Sequence, residues 1–513
     1  MEIFDKLNEL LGDVPRWDLV PCTREDVCNA IDNLKPSLSS GPDLIPNRLI
    51  KSLKFEALDA ITAVFNKCIT EGVFPDIWKS GKISPTFKKG AKNKIENYRP
   101  ICLFSNLGKL LEAVIRSQFT THLEKVLPDN MYGFRPGHST QDCVRHALDK
   151  LHQYRAQGKF IAILSMDASS AFDLLDHDVI LRSLDLIGAG TLMQKFSSSF
   201  LKGCTNYVQI GDSSSESWSV TSGSGQGCRL SPDYFNLASL SQAILCIISD
   251  FFGYADDGID IVHGTTAAEC EMKLRSVVIE LVDWYKRIGL SLNISKTEIL
   301  GIGFTPSPLA IDGYLINPTN KLVFLGTTIQ SDLKWSSQVT SLCNKIRSAA
   351  GRIRSEGRNF CVRDKRSLYM AWIQSLIHFN ASVILPIVSA TELAAVQTAS
   401  NAGIRAVVGL PKFGYANISA LRAELKIQSV DSIIEFALLG AAWKKFSNTP
   451  PAAVTGTTTR SMSNRNRPHP DQRGHMAKTS TAILTKAWNR IPLAIKNSSN
   501  LKIAKAQLKT LLY

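Results

Sequence analysis

With 513 residues, 44% of them hydrophobic and 20% charged, the chain can bury several cores and does not read as a disordered polymer. Its 59 Lys and Arg against 45 Asp and Glu leave a formal charge of +14, which suits a polyanionic partner, nucleic acid foremost. The eleven cysteines are scattered without a C-x-x-C pair, which argues against a zinc ribbon or knuckle and for reduced thiols in a cytosolic or nuclear protein.

The opening MEIFDKLNELLGD lacks the basic and apolar regions of a secretory signal, and no apolar run of about 18 residues follows, so neither a signal peptide nor a membrane span is expected. Thr23 reads as a helix N-cap with Glu25 and Asp26 in the first turn and Val27, Ile31 and Leu34 at helical spacing. Ser39-Ser-Gly-Pro-Asp43 breaks the pattern. Leu49 to Val73 reads as one helix with Ile61, Val64, Phe65 and Cys68 on one face. Trp78 to Phe87 reads as a strand made basic by Lys82, Lys88 and Lys89. Helices are expected over Leu107–Leu123 and Thr140–Gln157, with a Gly133-Phe-Arg-Pro-Gly137 loop between them.

Phe160 to Met166 is a near-continuous apolar run followed by Asp167, the pattern of a buried strand delivering a carboxylate at its C-terminal end. Helix is expected over Ala171–Ile187, hairpin strands at Tyr207–Ile210 and Trp218–Thr221, and a Gly223-Ser-Gly-Gln-Gly227 loop before a helix over Tyr234–Ile247. Tyr254-Ala-Asp-Asp-Gly258 sits between largely apolar runs and reads as a β-hairpin with both aspartates at the turn. Two close carboxylates repel unless a cation sits between them or one is protonated. A solvated surface turn satisfies the same residues.

Thr266–Ile288 is an amphipathic helix and Lys321–Ile329 a short strand pair. From Val339 the chain turns helical and basic, with Lys345, Arg347, Arg352, Arg354 and Arg358 against few acids, a run that suits a phosphate backbone. Residues 448–480 are rich in Thr, Ser, Asn, Pro and Arg and read as a basic flexible linker. Residues 481–513 form a basic amphipathic segment.

In order along the chain stand Asp167-Ala-Ser-Ser-Ala-Phe-Asp173, Ser222-Gly-Ser-Gly-Gln-Gly-Cys-Arg-Leu-Ser-Pro232 and Tyr254-Ala-Asp-Asp257. The set resembles motifs A, B and C of the reverse transcriptases of non-LTR (LINE-type) retrotransposons. Ser40-Gly-Pro-Asp43, Tyr98-Arg-Pro-Ile101 and Tyr132-Gly-Phe-Arg-Pro136 resemble that family's finger segments. Gly289-Leu-Ser-Leu-Asn293 with Lys296-Thr297 resembles motif D, and Phe324-Leu-Gly326 motif E.

The resemblance implies an α+β right-hand polymerase. The N-terminal helical extension of the fingers would cover 1–65, fingers and palm 66–331 and a helical thumb 332–380. A C-terminal helical region at 381–447, the linker at 448–480 and the amphipathic segment at 481–513 would follow. It implies an RNA-directed DNA polymerase, a nucleotidyltransferase copying retrotransposon RNA into cDNA from a primer 3′-hydroxyl by a two-metal mechanism. Asp167, Asp256 and Asp257 would be the catalytic metal ligands for two Mg2+ ions, with Mn2+ a substitute. Lys88, Arg99, Phe172, Gln226, Gly227 and Lys296 would bind the nucleotide. Of these, Phe172 would exclude a 2′-hydroxyl and Lys296 would serve as general acid. Phe324, Leu325 and Gly326 would form the primer grip, and Lys345, Arg347, Arg352, Arg354 and Arg358 would hold nucleic acid.

The implied partners are template RNA, a DNA primer, deoxynucleoside triphosphates and an endonuclease domain or protein supplied elsewhere, with no membrane. The implied location is a cytoplasmic and nuclear ribonucleoprotein.

Motif B departs from the family pattern. Ser224-Gly225 precedes Gln226 where a bulky residue or proline is usual, and Asp233-Tyr234 replaces an apolar pair. The stretch from Asn236 to Tyr254 is short and lacks the usual Asn-Asp-Leu segment. The alternative is therefore a catalytically impaired or co-opted relative acting as an RNA-binding protein.

Overall fold

The computed structural model describes residues 2–167, 171–245, 249–290, 292–311, 313–447, 475 and 478–512; most of the expected linker at 448–480 lies outside them. The architecture is α+β and divides into two compact units. The first comprises Met1–His138, Met166–Ile259 and Arg275–Thr297; the second comprises Ser139–Ser165, Asp260–Leu274 and Glu298–Tyr513. Among the described residues no helix is long and apolar enough to cross a membrane.

In the first unit, the helix Arg24–Asp32 starts where Thr23 predicts. The Thr23 side chain accepts from the Asp26 amide while Asp26 returns a bond to the Thr23 amide, a capping box. The helix expected over 49–73 is instead two, Asn47–Ser52 and Lys54–Glu71, meeting at Leu53 with φ −96° and ψ 17°. Phe65 and Cys68 are buried as expected, whereas Val64 is 48% exposed. An aromatic cluster of Phe74, Trp78, Phe196 and Phe200, in edge-on contacts about Phe74, anchors this region.

Here too β1 (Ser80–Phe87) pairs antiparallel with β2 (Tyr98–Leu103). On its other side β1 pairs parallel with β4 (Thr205–Ile210). The short β5 (Ser213–Ser214) and β6 (Trp218–Ser219) pair antiparallel with β4. The helix expected over 171–187 is broken into Ala171–Leu174 and His177–Leu186 by an N-cap at Asp176, whose side chain accepts from the Asp178 amide.

In the second unit, strand order runs β12 (Pro318–Thr319), β9 (Glu298–Ile302), β3 (Phe160–Asp167), β8 (Asp257–Gly264). The closing residues of β3 and the opening residues of β8 belong to the first unit, where β7 (Asp250–Tyr254) neighbours β8. β3 and β9 pair antiparallel, Ile163 opposite Leu300, and both residues are fully buried. That explains the unbroken apolar run: a central strand covered on both faces has no polar side. Small hairpins β10–β11 (Leu309–Ile311, Tyr314–Ile316) and β13–β14 (Lys321–Phe324, Thr327–Gln330) follow.

Helical packing dominates the rest of this unit. Ile346, Ile353, Tyr369, Ile373, Val396 and Ile404 share one core. A smaller core joins Trp443 and Phe446 to Leu484, Trp488 and Leu508 of the C-terminal helices.

Candidate active site

Asp167 closes β3, and its side chain lies outside the described atoms. Asp256 stands in the turn between β7 and β8, and Asp257 opens β8. Both side chains are exposed. The turn is tight because Ala255 adopts φ +58°, a left-handed backbone uncommon for a residue with a Cβ. A carboxylate pair at a turn supplies hard oxygen donors of the kind divalent cations take. Among the described residues no three potential metal-ligating side chains converge, and the Asp167 side chain is not among those described.

The turn rests on a segment to which the sequence reading assigned no site residue. The Tyr132 amide donates to the Gly253 carbonyl at 2.8 Å, and the Gly253 amide to Asn130 at 3.0 Å. Gly133 is obligatory here, because a Cβ would stand 2.3 Å from the Ala255 nitrogen. Buried Asn236 donates to the Gly133 carbonyl at 2.8 Å. Next in the chain, Phe134 meets Phe172 edge-on at 6.0 Å, and Phe172 also packs on Phe235 at 5.0 Å. Arg135 is buried and spent on Glu124 and the carbonyls of Pro128 and Met131, so it braces this segment.

From Phe172 the contacts run into the glycine-rich loop. The Ser224 amide donates to the Phe172 carbonyl at 2.9 Å, and the Ser222 hydroxyl to the Asp173 carbonyl at 3.1 Å. The Gln226 carbonyl accepts from the Cys102 amide of β2 at 3.1 Å. Gly227, at φ +121°, passes so close to that strand that a Cβ would stand 2.4 Å from the Cys102 carbonyl oxygen. Only glycine tolerates both conditions.

The loop's far end is held by the helix Asn106–Leu123. Fully buried Glu112 accepts from the Arg229 and Leu230 amides just before the helix Ser231–Leu245. Burial pushes the Glu112 carboxyl up to about 7, against the opposing pull of those two amides. One turn later Arg116 binds buried Asp233 through two nitrogens and reaches the Phe134 carbonyl at 3.4 Å. Tyr234, also fully buried, donates to the Ser197 hydroxyl at 2.9 Å. The Asp233-Tyr234 departure in motif B therefore has partners inside this fold.

The remaining expected residues distribute as follows. Arg99 pairs with Thr86 across the β1–β2 hairpin, and the Lys88 amide continues the ladder to Asn97. Alternation puts both side chains on one face, and both are exposed. Lys296 ends a 3-10 turn, Ile294–Lys296, and is also exposed.

In the second unit, Leu325 and Gly326, at φ +46° and +79°, form the two-residue turn of the β13–β14 hairpin, with Phe324 buried beneath. Gln338 ties this hairpin down, accepting from the Thr328 amide and donating to Gly326 and Asn380. Lys345, Arg347, Arg352 and Arg354 stand exposed on the helix Ser336–Ser355, with Arg358 just beyond it. Arg352 lies 4.3 Å over the Trp372 ring and pairs with Glu356, so part of its charge is already engaged.

Glu112, Arg116, Gly133, Phe134 and Asn236 were not identified from the sequence as site residues. The Tyr132-Gly-Phe-Arg-Pro136 motif was the one available signal. Glu112 and Arg116 look like ordinary polar positions on a helix.

Residues 88–329 match the family described as reverse transcriptase (RNA-dependent DNA polymerase). The chain is 23% identical to the probable RNA-directed DNA polymerase from transposon BS of Drosophila melanogaster, over 81% of this chain and 47% of that protein. It is 24% identical to the RNA-directed DNA polymerase from mobile element jockey of Drosophila funebris, over the same shares. It thus spans about half the length of these curated relatives. A solved apo telomerase from Candida tropicalis aligns with a TM-score of 0.36 at 14% identity, over 57% of this chain and 62% of that one. Reverse transcriptases generally use divalent metal ions and bind template RNA and nucleotides. Over residues 88–329 the chain is thus similar to reverse transcriptases, and the curated relatives it resembles are named as RNA-directed DNA polymerases of mobile elements.

Proposed function

We propose that this chain copies RNA into DNA by adding deoxynucleotides to a primer 3′-hydroxyl. The observation that carries the reading is the continuous set of contacts in the first unit. It runs from the Asp256 turn through Gly133, Phe134 and Phe172 to the Gln226-Gly227 loop. Three motifs far apart in sequence meet there through backbone and ring contacts.

In this reading Asp167, Asp256 and Asp257 hold two Mg2+ ions, with Mn2+ a substitute. The ions would lower the charge on the reacting oxygens and on the departing pyrophosphate. The primer 3′-oxygen forms its bond to the α-phosphorus as the bond to the pyrophosphate oxygen breaks. Lys88 and Arg99, on one face of the β1–β2 hairpin, grip the triphosphate, where a guanidinium can bind two oxygens at once. Phe172 stands against the sugar, and Gln226 and Gly227 place backbone close to template and nucleotide. Lys296 supplies a proton to the leaving pyrophosphate. The Leu325-Gly326 turn holds the primer end, and the basic helix Ser336–Ser355 holds the backbone as part of a thumb. Positioning and electrostatics supply most of the rate in such a site.

The overall arrangement we infer is the right-hand polymerase, with fingers and palm through 331 and a thumb over 332–380. An endonuclease supplied by another domain or protein completes the element's cycle in the cytoplasm and nucleus.

Primer extension on poly(A)/oligo(dT) with Mg2+ tests the reading, wild type against Asp256→Asn. Incorporation by the wild type and its loss by at least a hundredfold in the variant is the expected result. Tight RNA binding with no aspartate-dependent incorporation would instead identify a co-opted RNA-binding relative.

A further inference from the structure

In the second unit, the chain between the helices Ala390–Val407 and Ile418–Glu424 reads Val408-Gly-Leu-Pro-Lys-Phe-Gly-Tyr-Ala-Asn417. Two guanidinium groups fix its backbone. Arg354, from the helix Ser336–Ser355, donates to the Leu410 carbonyl at 3.1 Å. Arg405 donates to the Gly414 carbonyl at 2.8 Å and the Pro411 carbonyl at 3.5 Å. Gly414, at φ +128°, takes a backbone conformation that side-chain-bearing residues rarely adopt. The loop is thus shaped by specific bonds, and it presents two aromatic rings to solvent. Phe413 is 80% exposed and Tyr415 is 101% exposed.

Large aromatic side chains usually find cover, because each carries a sizeable apolar surface. Two left open on one anchored loop point to a partner. Its chemistry follows from the charges. Residues 408–417 contain one cation, Lys412, and no acid. Lys412 stands 5.2 Å from the Phe413 ring centroid. The guanidinium groups that hold the loop bond here to carbonyl oxygens, which leave their positive charge in place. Exposed Arg358 lies four residues beyond Arg354. Exposed rings beside a cation, in a segment without carboxylates, are the chemistry that receives unpaired bases and phosphates together. A purely apolar partner would leave the cations desolvated without a counter-charge.

We infer that the 408–417 loop is a binding platform for single-stranded nucleic acid. Bases stack on Phe413 and Tyr415 while the backbone phosphates meet Lys412 and the neighbouring arginines. The inference deepens the polymerase reading by placing a contact for unpaired template on the second unit. Stacking does not depend on base identity, so the platform is sequence-tolerant.

The test measures binding of a fluorescently labelled oligoadenylate of about 16 nucleotides to the full chain without nucleotides present, beside a duplex of equal length. Phe413→Ala/Tyr415→Ala is expected to weaken single-strand binding about tenfold or more, and duplex binding by less than twofold. Phe413→Trp/Tyr415→Trp should restore it. Lys412→Ala should lower the slope of log affinity against log salt by about 0.7, whereas the aromatic pair leaves that slope unchanged. RNA and deoxyadenylate arms show which strand the site holds.

Single-strand affinity unchanged in Phe413→Ala/Tyr415→Ala overturns the inference, as does an equal loss for duplex. The polymerase reading is tested separately, on the wild-type chain, by the Asp256 dependence of incorporation on poly(A)/oligo(dT). Loss of Asp256-dependent incorporation from the wild-type chain would bear on that reading alone.

Discussion

Arg116 and Asp233 form a two-nitrogen ion pair between the helix Asn106–Leu123 and the first turn of the helix Ser231–Leu245. Asp233 is buried while Arg116 keeps about a third of its side chain in solvent. The same guanidinium reaches the Phe134 carbonyl, so one side chain links the start of the Ser231–Leu245 helix to the ring that meets Phe172. An acid at position 233 departs from the family's apolar pattern, and this pair accounts for it. Breaking a buried pair from one side strands a charge, whereas replacing both members by apolar residues is often neutral. Arg116→Ala or Asp233→Ala should each cost about 2 to 4 kcal/mol in denaturant unfolding. Arg116→Leu/Asp233→Leu should recover most of that loss. If the double variant is as unstable as the singles, burial of apolar surface is not what the site tolerates.

Glu112 makes stability depend on pH. Its folded-state carboxyl lies near 7, above the 4.5 of an ordinary glutamate, because burial outweighs the two amides it accepts from. A raised value means that the folded state holds the proton more tightly. The associated stability is full below about 4.5 and is lost as pH rises through about 7. Between pH 5 and pH 8 the group should withdraw on the order of 3 kcal/mol. Glu112→Gln keeps an oxygen for the Arg229 and Leu230 amides but cannot ionise. Unfolding curves at the two pH values should differ less for Glu112→Gln than for wild type, and an equal pH dependence would place the titration elsewhere.

Gly227 is the most constrained position of the loop. Alanine there would bring its Cβ to 2.4 Å from the Cys102 carbonyl at a backbone angle of +121°. The neighbouring bond from the Cys102 amide to the Gln226 carbonyl must then lengthen or break. We expect Gly227→Ala to lower primer extension by more than tenfold at a stability cost of about 1 to 3 kcal/mol. Gly137, also at positive φ, has no atom near its would-be Cβ. Gly137→Ala therefore carries backbone strain without the clash, and its extension rate should stay within a few-fold of wild type.

Much of this was readable from residues whose signal is local. Thr23 with Asp26 announces a capped helix, the run Phe160–Met166 announces a buried strand, and Tyr254–Asp257 announces a hairpin turn. These depend on neighbours a few positions away. Glu112 and Arg116 depend instead on Leu230 and Asp233, distant in sequence, and nothing in their own helix shows that they face inward to polar partners. Val64 fails for the opposite reason. Helical periodicity groups it with Phe65 and Cys68, but a helical stripe is wider than the surface that covers it. The break at Leu53 was equally hidden, since leucine is a strong helix former and no capping side chain marks the junction.

Phe172 offers the sharpest test of how the site selects its substrate. Its ring is held between Phe134, edge-on at 6.0 Å, and Phe235 at 5.0 Å, so its position is set by two neighbours. If that ring blocks the 2′ position of an incoming sugar, the effect lies in its volume and fixed placement. Phe172→Val should then raise the use of ribonucleotides relative to deoxynucleotides by at least tenfold in kcat/KM. That corresponds to about 1.4 kcal/mol of lost discrimination. Phe172→Tyr keeps the bulk and should keep the preference. Truncating Phe134 to alanine removes the edge contact and should relax discrimination by a smaller factor, through KM for the deoxynucleotide more than through kcat. A Phe172→Val enzyme that slows equally on both sugars would show that the ring supports the fold of the site and reads nothing at the sugar.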